Sequence, residues 1–219
     1  KIKKADLLVR VNPIHDETDM YSSSETEING AIENGADVIM LPYFKTVEEV
    51  KRFIKAVDGR AKTMLLLETV GAMKNLDEIL KIPGVNEIHI GLNDLSIDMN
   101  RKFMFEPLAE GVVDNLCKKI READIPYGFG GIARINHGEI PSQNIICEHY
   151  RLNSSFVILS RSFCDVATIR FWRIKILFRR EVNKIRKFER KVSKTFTVDQ
   201  IEDNRINTIK LINEVKDKL

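Results

Sequence analysis

Six short apolar segments recur along the chain, and each is followed by a stretch of helical character. The segments are almost continuously apolar, which is typical of strands that are buried on both faces of a parallel sheet. Regular alternation of such strands with helices predicts a parallel α/β fold. The segments lie at residues 7–11, 38–41, 64–67, 88–90, 127–131 and 156–159.

Two architectures fit this alternation: an open, doubly wound sheet and a closed TIM (β/α)8 barrel. Nucleotide-binding doubly wound folds carry GxGxxG after the first strand or a GxxxxGK(S/T) loop, and neither pattern is found. We therefore favour the barrel. A complete barrel has eight strands and usually about 250 residues, so we expect the first two βα units to be missing. Six units would fill residues 1–178, and residues 179–219 would form a helical C-terminal extension.

The composition is that of an ordinary globular chain, with 43% hydrophobic residues. No apolar run approaches the roughly 18 residues that a membrane span needs, and no signal-peptide core follows the basic N-terminus. We therefore expect a cytoplasmic protein without a membrane span. Three cysteines without CxxC spacing indicate reduced, buried thiols instead of a disulfide framework or a zinc site. They are Cys117, Cys147 and Cys164.

Basic charge is concentrated in one C-terminal segment. Residues 170–194 carry eleven Lys or Arg against two Glu, a net charge of +9, whereas the whole chain has +3. Apolar residues form one stripe of this predicted helix, which favours packing on the barrel or on another subunit of a homo-oligomer. Nucleic-acid or membrane-surface binding is the less favoured alternative. A second amphipathic helix is predicted over 198–219, and the two could form a hairpin.

Polar side chains end three of the predicted strands. Arg10 and Asn12 end the first, Glu68 ends the third, and Asn93 and Asp94 follow the fourth. Catalytic side chains of barrels lie at these carboxyl ends of the strands, so Glu68 and Asp94 should lie close together at the same open end of the barrel. Two carboxylates there repel each other unless a proton or a cation lies between them. Oxygen ligands with open positions favour Mg²⁺ or Mn²⁺, although Asp94 could instead be a helix N-cap.

Several motifs resemble those of one enzyme family. Residues 65–80 are similar to its ET-x-x-A-x-x-N-x-x-E/Q-I block, and residues 84–96 to its G-V-D…G-P-x-D-L-S block. Residues 9–13 are similar to its strand with an active-site arginine, and Met40-Leu41-Pro42 matches its M-L-P. Over residues 5–163 the sequence thus resembles the HpcH/HpaI aldolase and citrate lyase β-subunit family.

The resemblance implies a TIM barrel of the phosphoenolpyruvate/pyruvate type. It implies Glu68 and Asp94 as ligands of Mg²⁺ or Mn²⁺, and Arg10 as the catalytic and substrate-binding residue beside a 2-oxo acid. Asn93 and the backbone near Gly91 would assist in substrate binding. The expected activity is that of a carbon–carbon lyase, which forms or cleaves a bond to a pyruvate-type enolate from a small 2-oxo acid or hydroxy-acyl substrate.

The chain departs from the family pattern in ways that bear on activity. The early loop with the family's base histidine is absent, His89 is better explained as a packed strand residue, and His15 is a conceivable replacement. Tyr43 replaces the lysine that is common in the acyl-CoA lyases, which favours the aldolase side. Arg134 and Arg161 could bind an anionic substrate group, but we favour surface ion pairs for both.

Two further alternatives stay open at this point. The glycine-rich segment 127–134 indicates either close approach to a ligand or tight packing. A non-catalytic or regulatory relative, which binds a partner through its basic helical tail, is the alternative to the lyase. The acceptor half of the substrate, aldehyde or thioester, has no signature in the sequence.

Overall fold

The structure is a computed structural model that describes residues 5–160, residue 163 and residues 171–219. Cys164 and Arg161, for which the sequence predicts a buried thiol and a surface ion pair, lie outside the described residues.

The strands form one parallel six-stranded sheet whose spatial order follows the chain, β1-β2-β3-β4-β5-β6. Each strand pairs in parallel with the next along the chain, so the sheet is a half-barrel and the predicted parallel α/β fold is confirmed. The two additional βα units stay a prediction. The strands are β1 (Leu8–Arg10), β2 (Val38–Leu41), β3 (Lys62–Leu67), β4 (Glu87–Ile90), β5 (Tyr127–Ile132) and β6 (Phe156–Leu159).

Helices follow the strands and cover one face of the sheet. They are α1 (Ser24–Glu33), α2 (Val47–Val57), α3 (Val70–Lys74), α4 (Leu76–Ile79), α5 (Leu92–Asp98), α6 (Glu106–Ala109), α7 (Val112–Glu122), α8 (Ser142–Arg151), α9 (Phe171–Thr195) and α10 (Val198–Lys216).

Alternate side chains of each strand point to opposite faces of the sheet. Ile39, Leu41, Leu65 and Leu67 belong to the main core with the helices. Val38, Met40, Met64 and Leu66 form a smaller cluster with Phe156. Because successive strand side chains point to opposite faces, this cluster lies on the face away from that core. The continuous apolar runs in the sequence follow directly from burial on both faces.

Tight packing accounts for the first glycine of β5. A Cβ added to Gly128 would lie 2.1 Å from the carbonyl oxygen of Phe156 in the neighbouring strand, so no other residue fits without backbone movement. Gly130 has φ +57°, and its carbonyl oxygen lies 2.9 Å from Nε2 of His89. Of the two explanations for this segment, packing is therefore the one with direct support.

We expect Gly128→Ala to destabilise the protein by about 3 kcal/mol or more, because overpacking against backbone cannot be relieved by a side-chain rotation. Gly131→Ala is the matched control in the same strand, since its added Cβ would come no closer than 3.4 Å to Ile158. Chemical denaturation of the two variants measures the difference. Equal stability of Gly128→Ala and the unsubstituted protein would contradict the β5–β6 packing.

The C-terminal helices pack against the rest of the fold. On α10, Ile212 is fully buried, Nδ2 of Asn204 donates to Oε1 of Glu148 at 3.0 Å, and Lys216 pairs with Glu106 at 3.3 Å. Helix α9 is continuous across residue 178, and a short turn capped by Thr197 connects it to α10. The assignment of 179–219 as a separate extension stays a prediction.

Two predictions from composition can be compared with the described residues. Cys117 and Cys147 are buried free thiols, and burial raises their pKa values to about 12 and about 11, as expected for unreactive thiols. No helix in the described part of the chain is both long and apolar enough to cross a membrane.

Candidate metal and oxo-acid site

Glu68 and Asp94 come from neighbouring strands that end at the same edge of the sheet. Leu67, the last residue of β3, is paired with Ile90, the last residue of β4. Glu68 follows directly, whereas Asp94 lies in the first turn of α5. Gly91 occupies the N-cap position of that helix, so Asp94 is not the N-cap. The parallel register thus brings both carboxylates to the carboxyl-terminal edge of the sheet, where they electrostatically affect each other.

The carboxylate of Glu68 is buried, with a relative exposure of 2%. Its Oε1 accepts a hydrogen bond of 3.0 Å from the backbone N–H of Tyr43. A Cβ added to Gly91 would come within 2.9 Å of its Oε2, so the absence of a side chain at Gly91 makes room for this carboxylate. The contribution of Gly91 in the structure is therefore space beside Glu68.

Tyr43 also reaches the second carboxylate. Its hydroxyl donates to Oδ1 of Asp94 at 3.3 Å, so one residue bonds to both acidic side chains. In the sequence, Tyr43 is notable only because it replaces a lysine. Its position two residues beyond β2, at the same edge as Glu68, is the signal that could have identified this role.

Burial, the largest cause, and the negative charge of Asp94 raise the pKa of Glu68, which lies at about 7. The Tyr43 N–H and the positive charge of Arg10 act in the opposite direction. An acid in this state shares its site with a like charge and takes up a proton near neutrality. A cation placed between the two carboxylates would replace that proton.

Arg10 is the last residue of β1 and is exposed, and its charge acts on Glu68. Asn12 has a different role: its backbone N–H and its Nδ2 both donate to Oε1 of Glu27, at 3.0 and 3.1 Å. The other oxygen of Glu27 lies 3.1 Å from Nε2 of His15. Glu27 therefore anchors the loop after β1, and His15 is part of that anchor.

The two buried histidines are packed neutral residues. His89 is 1% exposed and stacks on Phe156, and burial lowers its pKa to about 4. His149 stacks on Phe129 with ring centroids 3.9 Å apart, and burial lowers its pKa to about 3. Neither ring carries a positive charge near neutral pH.

Arg134 differs from the ion-paired surface residue that the sequence favours. It lies two residues beyond β5, beside the strand that leads to Asp94. Among the residues that the structure describes, no carboxylate pairs with it, and its Nε is buried without a hydrogen-bond partner. Asn93 is exposed at the start of α5, where its carbonyl accepts from Ser96 Oγ at 2.7 Å.

The donor set fits a hard divalent cation. Mg²⁺ is commonly held by one or two carboxylates, and water and substrate oxygens complete its coordination. The described residues contain no group of three His, Cys, Asp or Glu side chains that could enclose a metal by themselves. Glu68 and Asp94 would therefore hold an ion and leave open positions for a ligand.

The comparisons with known proteins concern the family and the fold. Residues 2–107 match a sequence model of the HpcH/HpaI aldolase/citrate lyase family, and this stretch contains Arg10, Glu68 and Asp94. The match covers just under half of the chain, and over that stretch the chain is similar to the HpcH/HpaI aldolase/citrate lyase family. A comparison of the chain with curated proteins finds no match.

Solved structures with a similar fold include RipC and two proteins that are named as HpcH/HpaI aldolases or family proteins. RipC from Yersinia pestis has a TM-score of 0.57 and 17% identity, over 79% of this chain and 76% of that one. An HpcH/HpaI aldolase/citrate lyase family protein from Burkholderia cenocepacia J2315 has a TM-score of 0.56 and 13% identity, over 82% of this chain and 73% of that one. An HpcH/HpaI aldolase from Desulfitobacterium hafniense DCB-2 has a TM-score of 0.55 and 15% identity, over 82% of this chain and 72% of that one. At these identities the likeness shows the fold.

Proposed function

We propose that this protein is a divalent-metal-dependent carbon–carbon lyase that forms or cleaves a bond to the enolate of a small 2-oxo acid such as pyruvate. The observation that carries the proposal is the buried carboxylate of Glu68 facing the charge of Asp94 at the carboxyl edge of the sheet. The match of residues 2–107 to the HpcH/HpaI family supports a lyase, and the hard-oxygen donor pair supports Mg²⁺ or Mn²⁺.

Each residue of the site has a distinct task in this chemistry. Glu68 and Asp94 would hold the ion, which when bound supplies a Lewis acid for the 2-oxo acid. Arg10 binds the substrate and places a permanent positive charge and a planar donor fork beside the negative charge that develops. Gly91 leaves the room that the Glu68 carboxylate occupies. Asn93 is close enough in sequence to Asp94 to contact substrate at the same edge.

Oxalate tests the proposal, because it resembles the pyruvate enolate. Both are planar anions that can bind a metal ion through one oxygen on each of two adjacent carbon atoms. Calorimetric titration should show oxalate binding in the presence of Mg²⁺ or Mn²⁺ and none in a chelator. Oxalate binding of equal strength without metal would contradict a metal-dependent site. Glycolaldehyde and pyruvate together, followed by product analysis, then test the lyase activity in the bond-forming direction.

The raised pKa of Glu68 makes metal binding depend on pH. Ions bind the ionised carboxylate, so protons compete with the metal below the pKa of about 7. We expect the Kd for Mn²⁺ to be about tenfold higher at pH 6 than at pH 8, which means weaker binding at pH 6. Titration of Mn²⁺ by electron paramagnetic resonance at both pH values measures the ratio. An unchanged Kd would mean that Glu68 is already ionised at pH 6, as an ordinary glutamate would be.

A further inference from the structure

Tyr43 has an unusual backbone conformation for its residue type. Its φ is +54°, in the left-handed region that bulky side chains rarely adopt. Strain of this kind persists only where the surrounding structure imposes it, and it is concentrated at functional sites. Here the conformation accompanies a hydrogen bond from the Tyr43 N–H to Oε1 of Glu68. The backbone of Tyr43 therefore serves the site at a cost to local conformation.

The side chain of Tyr43 is not held in place by burial. The residue is 46% exposed, and it is absent from the apolar core. Its hydroxyl bonds to Oδ1 of Asp94 at 3.3 Å. An aromatic residue that is strained and half-exposed contributes little to the stability of the fold. What it does contribute is a hydrogen-bonded link between the carboxylate that follows β3 and the carboxylate in the first turn of α5.

We infer that Tyr43 is a positioning residue of the metal site, which fixes Glu68 through its backbone N–H and Asp94 through its hydroxyl. The inference rests on the proposed function, since it concerns the same site. Each carboxylate keeps a second oxygen to which Tyr43 does not bond. Outer partners that orient metal ligands typically change the metal affinity about 10–100-fold when they are removed.

Two substitutions separate positioning from folding. Tyr43→Phe removes only the hydroxyl and keeps the ring and the N–H. We expect it to weaken Mn²⁺ binding about tenfold, with an unchanged melting temperature. Tyr43→Gly keeps the N–H and relieves the positive φ, so the melting temperature of the metal-free protein should stay the same or rise while Mn²⁺ binding weakens at least as much.

Controls are available in the same chain. Asp58 has φ +50° at the C-terminal end of α2, so Asp58→Gly should relieve strain and leave the Kd for Mn²⁺ unchanged. Tyr150 donates its hydroxyl to the carbonyl of Glu189, so Tyr150→Phe removes a tyrosine hydrogen bond from another part of the fold. It should also leave the Kd unchanged.

The outcomes distinguish the inference from the function on which it rests. If the unsubstituted protein binds no Mn²⁺, the proposed function fails, and the inference fails with it. If the protein binds Mn²⁺ and Tyr43→Phe binds it equally well, the inference alone is overturned. A lower melting temperature for Tyr43→Gly would also overturn it, because Tyr43 would then be a structural residue. Weaker Mn²⁺ binding by both Tyr43 variants, with the fold intact, supports it.

Discussion

Asp94→Asn and Glu68→Gln are each expected to abolish binding of Mg²⁺ and Mn²⁺ and, with it, any lyase activity. Each substitution removes one of the two carboxylates that would hold the ion, and an amide is a much weaker ligand for a hard cation. Calorimetric titration should show the Kd rise at least about 100-fold, beyond the measurable range for a weak magnesium site. If both variants bind metal with unchanged affinity, the proposed ligands are wrong.

Asp98→Asn is the matched control for Asp94→Asn. Asp98 lies one turn further along α5 and accepts a hydrogen bond of 2.6 Å from the N–H of Val70. An asparagine oxygen can accept the same bond, so the fold and the metal affinity should both be preserved.

The stability of Glu68→Gln is itself a control, because it shows whether a loss of metal binding results from unfolding. The pKa of Glu68 is raised from 4.5 to about 7, so the stability linked to its protonation is present below pH 4.5 and lost as the pH rises through 7. At pH 8 the metal-free fold therefore carries the cost of a buried charge, which glutamine removes. We expect Glu68→Gln to be more stable than the metal-free unsubstituted protein at pH 8 by up to about 3 kcal/mol. Loss of metal binding in a more stable variant cannot result from unfolding.

Arg10→Ala is expected to weaken oxalate binding about 10–100-fold while metal binding is retained. Arg10 is exposed at the end of β1, and its charge reaches Glu68, so it is placed to contact a ligand at the same mouth. Arg10→Lys keeps the charge and loses the planar fork, so its effect should be smaller. Titration of Mn²⁺ and then of oxalate at pH 8, where Glu68 is largely ionised, separates the two binding events.

Arg101→Ala is the control for Arg10. Arg101 is a surface residue that pairs with Glu110 at 2.8 Å, and its removal should leave oxalate binding unchanged. If Arg10→Ala binds oxalate as tightly as the unsubstituted protein, Arg10 is structural, and the assignment of a 2-oxo acid loses its main residue-level support.

The sequence predicts the strands well because their signal is local. Burial on both faces requires continuous apolar runs, and the observed β2 and β6 coincide with the predicted segments. The ends of the strands are predicted less well. Strand β1 begins one residue later than predicted, and β3 begins two residues earlier than predicted, at Lys62. Lys62 pairs with Val38 through its backbone, which its side chain does not reveal.

The candidate site is predictable only in part because its remaining features depend on long-range contacts. Strand order and register place Glu68 and Asp94 at one edge, as the topology of parallel sheets requires. The positive φ of Tyr43 has no sequence signal, since the residue is not glycine or asparagine. The pairing of His15 with Glu27 joins residues 12 positions apart through a loop. That Arg134 has no carboxylate partner among the described residues is visible only once the fold is known.

Exchange of the pyruvate methyl protons for deuterium tests the central claim most directly, because it requires enolate formation and no second substrate. Proton NMR in D₂O should show loss of the methyl signal with the protein and Mg²⁺ or Mn²⁺. Exchange should fall to the background rate in a chelator and in Asp94→Asn, and it should persist in Asp98→Asn. Metal-independent exchange, or exchange by Asp94→Asn at the rate of the unsubstituted protein, would contradict the assignment of Glu68 and Asp94 as the centre of a metal-dependent lyase.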